Sequence, residues 1–129
     1  YYFPPTIIEC DNHNLPTAET ELFGPVLSVM KFDTENEVIE KMNDNQYGLS
    51  SGVYTSDFSR GLRVSNAIRA GITFVNTYRL ISPSAPFGGI KDSGYGKEAG
   101  MDSIKDYTRV KTTWYYTSDE PTLDPFSIR

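Results

Sequence analysis

The sequence predicts an α/β fold in which βαβ units form a largely parallel sheet covered by helices, followed by a C-terminal strand. Three observations carry that prediction. Runs rich in apolar and β-branched residues at Val26–Phe32, Leu49–Thr55 and Ile72–Val75 have the length and composition of strands. The two segments between them carry capping residues followed by apolar positions at helical spacing. The last run then empties into a long segment, 76–100, rich in glycine and holding Pro83 and Pro86. Strand, helix, strand, helix, strand implies right-handed crossovers, and in such sheets the ligand crevice lies beyond the C-terminal strand ends, where this segment begins.

In chain order, Thr6–Glu9 is a short β-type run after a double proline, followed by the polar turn Asp11–Asn14. That turn contains the lone histidine, His13, which has no second ligand-type residue at metal spacing and reads as a solvated loop side chain. Cys10 lies between Glu9 and Asp11, whose charges disfavour the thiolate a nucleophile needs, so it reads as structural. Val26–Phe32 is mostly apolar and is expected to be buried on both faces. Thr34 with Glu37 three residues on forms a capping box, and Val38, Ile39 and Met42 make one stripe, which predicts a helix to about Asn45. After the strand at Leu49–Thr55, Ser56 or Asp57 can cap a second helix whose apolar side is Phe58, Leu62, Val64 and Ile68, with Gly71 as its stop. Gly61 inside that helix costs roughly 1 kcal/mol relative to alanine.

Within 76–100, Pro86-Phe87-Gly88-Gly89 combines a fixed φ, one large aromatic and two residues free of Cβ constraints. A backbone of that kind can approach a ligand closely, although a plain glycine-rich connector has the same composition. A phosphate cradle is disfavoured, since neither GxGxxG nor a P-loop lysine follows the strand. Met101–Asp106 reads as a helical turn and Tyr107–Tyr116 as a long strand with Thr108, Val110, Thr112, Trp114 and Tyr116 on one face and Arg109 and Lys111 on the other. Residues 118–129, with two prolines and three acids, are expected to be loose or pinned only through Phe126.

Length and charge exclude several classes. The 129 residues suit one domain, and the opening Tyr1-Tyr2-Phe3-Pro4-Pro5 has the look of a segment cut from a longer chain. A formal net charge of -5 argues against nucleic acid or an anionic membrane as the partner. A single cysteine permits no internal disulfide, no run approaches the ~20 apolar residues of a membrane span, and a reducing, cytoplasmic setting is the expectation.

Several short motifs occur in one fixed order: Glu21-Leu22-Phe23-Gly24-Pro25-Val26, Tyr47-Gly48-Leu49, Ala70-Gly71, Val75-Asn76, Pro86-Phe87-Gly88-Gly89, Lys91, Ser93-Gly94, Gly96 with Glu98 and Gly100, and Tyr107-Thr108 with Lys111. Together with the aromatic-x-x-Pro-Thr entry at Tyr2–Thr6, they closely resemble the C-terminal quarter of the NAD(P)-dependent aldehyde dehydrogenase superfamily, over nearly the whole chain to about Tyr116.

That resemblance implies a division into three parts: residues 1–105 as the C-terminal part of the catalytic domain, 106–117 as an oligomerisation arm, and 118–129 as a tail. It implies that Glu21 holds the nicotinamide ribose hydroxyls of NAD or NADP, that Phe23 lines the nicotinamide site, and that Leu49 is an apolar wall beside it. A solvated carboxylate and a core leucine are the plainer accounts of Glu21 and Leu49. It further implies that Phe87 faces the aldehyde pocket and that Arg79, Leu80 and Ile81 tune substrate preference. The strand 107–116 would build a homo-oligomer. The family's nucleophilic cysteine, in a Gly-Gln-x-Cys setting, and its general-base glutamate, in a Glu-Leu-Gly-Gly setting, are not in this sequence, so no catalytic residue and no metal ligand is assigned. In the family, aldehyde becomes carboxylic acid through a cysteine thiohemiacetal, and this chain is expected to be inactive alone. A stand-alone assembly or ligand-binding module with the same fold is the alternative.

Overall fold

Thr6–Glu9 (β1) and Val26–Val29 (β2) pair in parallel, Thr6 opposite Val26 and Glu9 opposite Val29, in a computed structural model that describes residues 1–121 and 124–126. A second parallel pair joins Ser50–Val53 (β3) to Ile72–Val75 (β4), Ser50 opposite Ile72. Helices Pro16–Glu19 (α1) and Phe58–Ala67 (α3) lie in the crossovers within the pairs, Glu35–Asn43 (α2) connects one pair to the other, and Ile104–Tyr107 (α4) follows two 3-10 turns at Lys91–Ser93 and Met101–Ser103. The α/β class and parallel pairing match the sequence, but the single continuous sheet does not. Among the described residues, β2 and β3 share no ladder, so the strands form two separate pairs. Chain order shows that a strand exists; its neighbour is chosen by residues far away, and β2 takes β1.

Local signals predict the helix starts well. The Thr34 hydroxyl accepts the Glu37 N–H at 3.2 Å and the Glu37 carboxylate accepts the Asp33 N–H at 2.8 Å, a capping box displaced by one residue on its return bond. Asp57, not Ser56, caps α3 by accepting the Arg60 N–H at 3.1 Å. Helix ends are tied tertiarily instead. Asn43 donates to the Ala67 carbonyl at 2.9 Å and accepts the Arg69 N–H at 2.7 Å, which closes α3 at Ala67, well before Gly71. Lys91 in turn donates to the carbonyls of Asn43 and Asn45, covering the end of α2.

Three expectations about burial are corrected. The buried side of α3 is Gly61, Val64 and Ile68, while Phe58 is 83% exposed and Leu62 is 54% exposed. At Gly61 the helix approaches the strand closely: a Cβ there would crowd Val75 Cγ1 on β4 at 3.0 Å, so a side chain would need the valine to give way. β2 alternates between half-buried and exposed residues, with Leu27 and Val29 outward, because no described layer covers that face. Cys10 is buried, as a structural thiol should be. His13 is not the solvated side chain expected: it is half-buried, and its Nε2 has no hydrogen-bond partner among the described residues.

The core is small. Cys10, Val64 and Ile68 are the buried apolar residues among those described, and the accessible surface is 11278 Å², against about 6900 Å² for a folded monomer of this size. Much apolar surface therefore waits for cover. Tyr107, placed in a strand by its alternation, ends α4, and residues 108–117 run without a ladder partner among the described residues. An alternating segment becomes a strand only when a neighbour supplies its backbone bonds. Phe126 is exposed and packs into no core of the described residues, and the rest of the tail expectation at 122, 123 and 127–129 lies outside them.

Candidate functional site

Glu21, Phe23 and Leu49 are separated by up to 28 residues, yet all three line one open cleft of about 930 Å³ beside the ends of β2 and β3. Met30, Phe32, Val38 and Met42 add apolar walls, and Ser50 and Ser51 border it from β3. Phe23 takes a left-handed φ of 48° and is 93% exposed, so the backbone bears strain to hold the ring outward ahead of Pro25. Glu21, two residues earlier, is exposed and lines the same cleft.

A second cleft of about 570 Å³ is lined by Phe87, Gly88, Gly89, Tyr95, Lys97, Glu98 and Tyr107, and Leu49 belongs to it as well. Leu49 and Ser93 are thus the two residues shared by both clefts. The join is fastened from below: the Gly48 N–H donates to Ser93 Oγ at 3.0 Å, while the Gly48 carbonyl accepts the N–H groups of Gly71 at 2.9 Å and Ile90 at 3.0 Å. Gly48 has no room for a side chain, since a Cβ would meet Ile90 Cγ1 at 2.8 Å. At the mouth of the loop the Asn76 amide spans the strand ends, accepting the Thr55 N–H at 2.8 Å and donating to the Thr55 carbonyl at 2.8 Å.

Arg79, Leu80 and Ile81 are not brought to either cleft. All three are exposed, Arg79 with a φ of 56° and its guanidinium 5.4 Å from the Tyr78 ring centre. Asn76, Ser93 and Lys97 are the residues whose roles the sequence did not declare. Asn76 had a signal, an amide directly after an apolar strand, whereas Lys97 looks like any surface lysine. Among the described residues no group of His, Cys, Asp and Glu could hold a metal ion, and no helix is long and apolar enough to cross a membrane.

Parallel strand pairs connected through helices, with an open cleft lined by Glu21, Phe23 and Leu49 and a glycine-fastened aromatic loop beside it, define part of an α/β protein with a ligand-sized cleft. The chain belongs to the aldehyde dehydrogenase family, whose model matches residues 1–113. It is 52% identical over its whole length to 27% of a "(Z)-2-((N-methylformamido)methylene)-5-hydroxybutyrolactone dehydrogenase" of Acinetobacter baylyi. It is 42% identical over 88% of its length to 23% of a betaine aldehyde dehydrogenase of Brucella anthropi. Among solved structures, an indole-3-acetaldehyde dehydrogenase in complex with NAD+ superposes with a TM-score of 0.84 at 41% identity, covering 90% of this chain and 23% of that one. PnpE from Pseudomonas sp. gives 0.86 at 35% identity, covering 98% of this chain and 25% of that one. The chain spans about a quarter of the length of the relatives it matches.

Proposed function

We propose that this chain is the C-terminal part of an NAD(P)-dependent aldehyde dehydrogenase that oxidises an aldehyde to a carboxylic acid, and that it builds walls of the active site while the reacting groups lie elsewhere. Residues 1–105 then belong to the catalytic domain, 106–117 form the oligomerisation arm of a homo-oligomer, and 118–129 are its tail. The observation that carries the reading is the shared position of Leu49, which sets the Glu21–Phe23 cleft against the Phe87 cleft.

The donor set fits half of a dinucleotide. A single carboxylate, Glu21, can accept both hydroxyls of a ribose, and Phe23 and Leu49 offer apolar faces to a flat ring. Among the described residues there is no glycine-rich phosphate cradle opening a helix, so the adenosine half needs another part of the enzyme. The cofactor, when bound, supplies a hydride acceptor. This chain's own contribution is to orient the ribose through Glu21, to keep water from the ring with Phe23 and Leu49, and to wall the aldehyde with Phe87. Arg79, Leu80 and Ile81 complete that wall only once other parts of the enzyme pack against them. A stand-alone module is the weaker reading, because an accessible surface of 11278 Å² with so many exposed aromatic and aliphatic side chains is that of an uncovered part. A cytoplasmic setting accords with the single cysteine.

Glu21→Gln in the full-length enzyme tests the assignment. The loss of a charge-assisted interaction of ~1.5–3 kcal/mol should slow single-turnover hydride transfer by about 10–100-fold while the circular dichroism spectrum stays unchanged. Unaltered single-turnover kinetics would remove Glu21 from the site.

A further inference from the structure

The Lys97 ammonium sits where two successive carbonyl oxygens converge, 2.7 Å from Gly88 O and 2.8 Å from Gly89 O. The described residues offer those two oxygens no other hydrogen-bond donor. Side by side they carry like partial charges, and a shared cation turns that repulsion into a clamp of the stronger, charge-assisted kind. The clamp lies one residue beyond a closed backbone bridge in which Phe87 and Glu98 exchange both N–H···O bonds at 2.7 Å. Gly88 makes room for it: a Cβ there would stand 3.1 Å from Lys97 Cδ and 2.7 Å from Gly96 O. On the far side a Cβ on Gly71 would fall 1.9 Å from Gly88 O, so the same peptide is held between Lys97 and the start of β4.

From this geometry we infer that Lys97 is a positioning residue for the aldehyde site: it fixes the carbonyls that follow Phe87 and so fixes how far the Phe87 ring intrudes on the substrate. The inference rests on the reading of Phe87 as an aldehyde wall. A ring anchored on one side only by the bridge to Glu98 can swing, and a swinging wall discriminates poorly between aldehydes of different bulk. Lys97 therefore acts on selectivity before it acts on rate.

The test uses the full-length enzyme and compares Lys97→Met, Lys97→Arg, Phe87→Ala and the Lys97→Met/Phe87→Ala double variant. The readout is the ratio of kcat/KM for a small aliphatic and a bulky aromatic aldehyde, with NAD+ affinity measured by protein fluorescence. Lys97→Met should compress the ratio by about tenfold through KM, leaving NAD+ affinity within about twofold, and Lys97→Arg, which can still donate to both carbonyls, should restore it. In the Phe87→Ala background Lys97→Met should change the ratio no further, as expected for residues acting as one unit. If Lys97→Met does not yield folded enzyme, Lys97→Gln, which keeps one donor group, should give an intermediate ratio, and an unchanged ratio there sinks the inference. Equal losses for both aldehydes, additive losses in the double variant, or an unchanged ratio beside a responsive Phe87→Ala overturn the role of Lys97 alone. A Phe87→Ala variant with the parent ratio overturns the reading of Phe87 and this inference with it.

Discussion

The loop 76–100 and the arm 108–117 both lie outside the helices and ladders apart from one 3-10 turn and one isolated bridge, both carry exposed aromatics, and yet they are held in opposite ways. The loop closes on itself and on the strand pair through backbone bonds of Phe87 with Glu98, Gly100 with Pro83, Ile90 with Gly48 and Asp92 with Gln46. Among the described residues the arm makes side-chain bonds only at its ends, from Thr108 Oγ1 to Ile104 O and from the Tyr116 hydroxyl to Pro121 O, and leaves Val110 and Trp114 almost wholly exposed. Irregular backbone can be rigid when its polar groups are satisfied within reach. Extended backbone with alternating faces stays open until another strand arrives.

The strongest way to break the loop's side of this contrast is Gly71→Ala. The added Cβ meets backbone, not a yielding side-chain tip, so β4 or the Gly88 peptide must shift, at about 3 kcal/mol in the overpacking range. Urea titration of the full-length enzyme should read that loss together with altered aldehyde selectivity, and an unchanged midpoint would mean the loop yields freely.

The arm's side predicts self-association. The isolated chain should sediment as a dimer or larger, through pairing or exchange of 107–116, and Val110→Lys with Trp114→Lys should drive it toward monomer. A clean monomer of the unmodified chain at high concentration would count decisively against the arm as a docking strand. By contrast, Trp114→Ala alone touches no described packing and should leave the midpoint of the monomeric chain within about 0.5 kcal/mol.

The smallest effect lies between α2 and α3, where Glu35 accepts from Arg63 Nε at 2.6 Å and from its Nη2 at 2.8 Å, with Arg60 at 3.4 Å. The Arg63 hydrogen bond holds the Glu35 carboxyl below its ordinary value, with the charges of Arg63 and then Arg60 adding to it. A depressed carboxylate pKa contributes stability above the unfolded value and loses it as pH falls through the folded one. The gap in melting temperature between Arg63→Met and the parent, small because the pair is exposed, should be present at pH 7 and begin to close below 4.5. A gap that persists at pH 3 would assign it to packing of the arginine stem.

What the sequence determined by itself is what depends on neighbours a few residues apart. Thr34 and Asp57 cap their helices, and Val26, Leu49 and Ile72 open or adjoin strands, because each needs only local dihedral preferences and short hydrogen bonds. The motif order also marked Glu21, Phe23, Leu49 and Phe87, and the fold brings the first three to one cleft and Leu49 to Phe87's. Tertiary structure alone decided that β2 pairs with β1 and not β3, that α3 turns Gly61 and Val64 inward while Phe58 faces out, and that Asn43 and Lys91 finish helices other than their own turn would suggest. It alone gave Lys97 its two carbonyls. Each of these choices is a contact between residues far apart in the chain or across a folded turn, where the energy comes from removing competing partners and water. A lysine, a glycine or an alternating run reads the same in sequence whichever partner finally satisfies it.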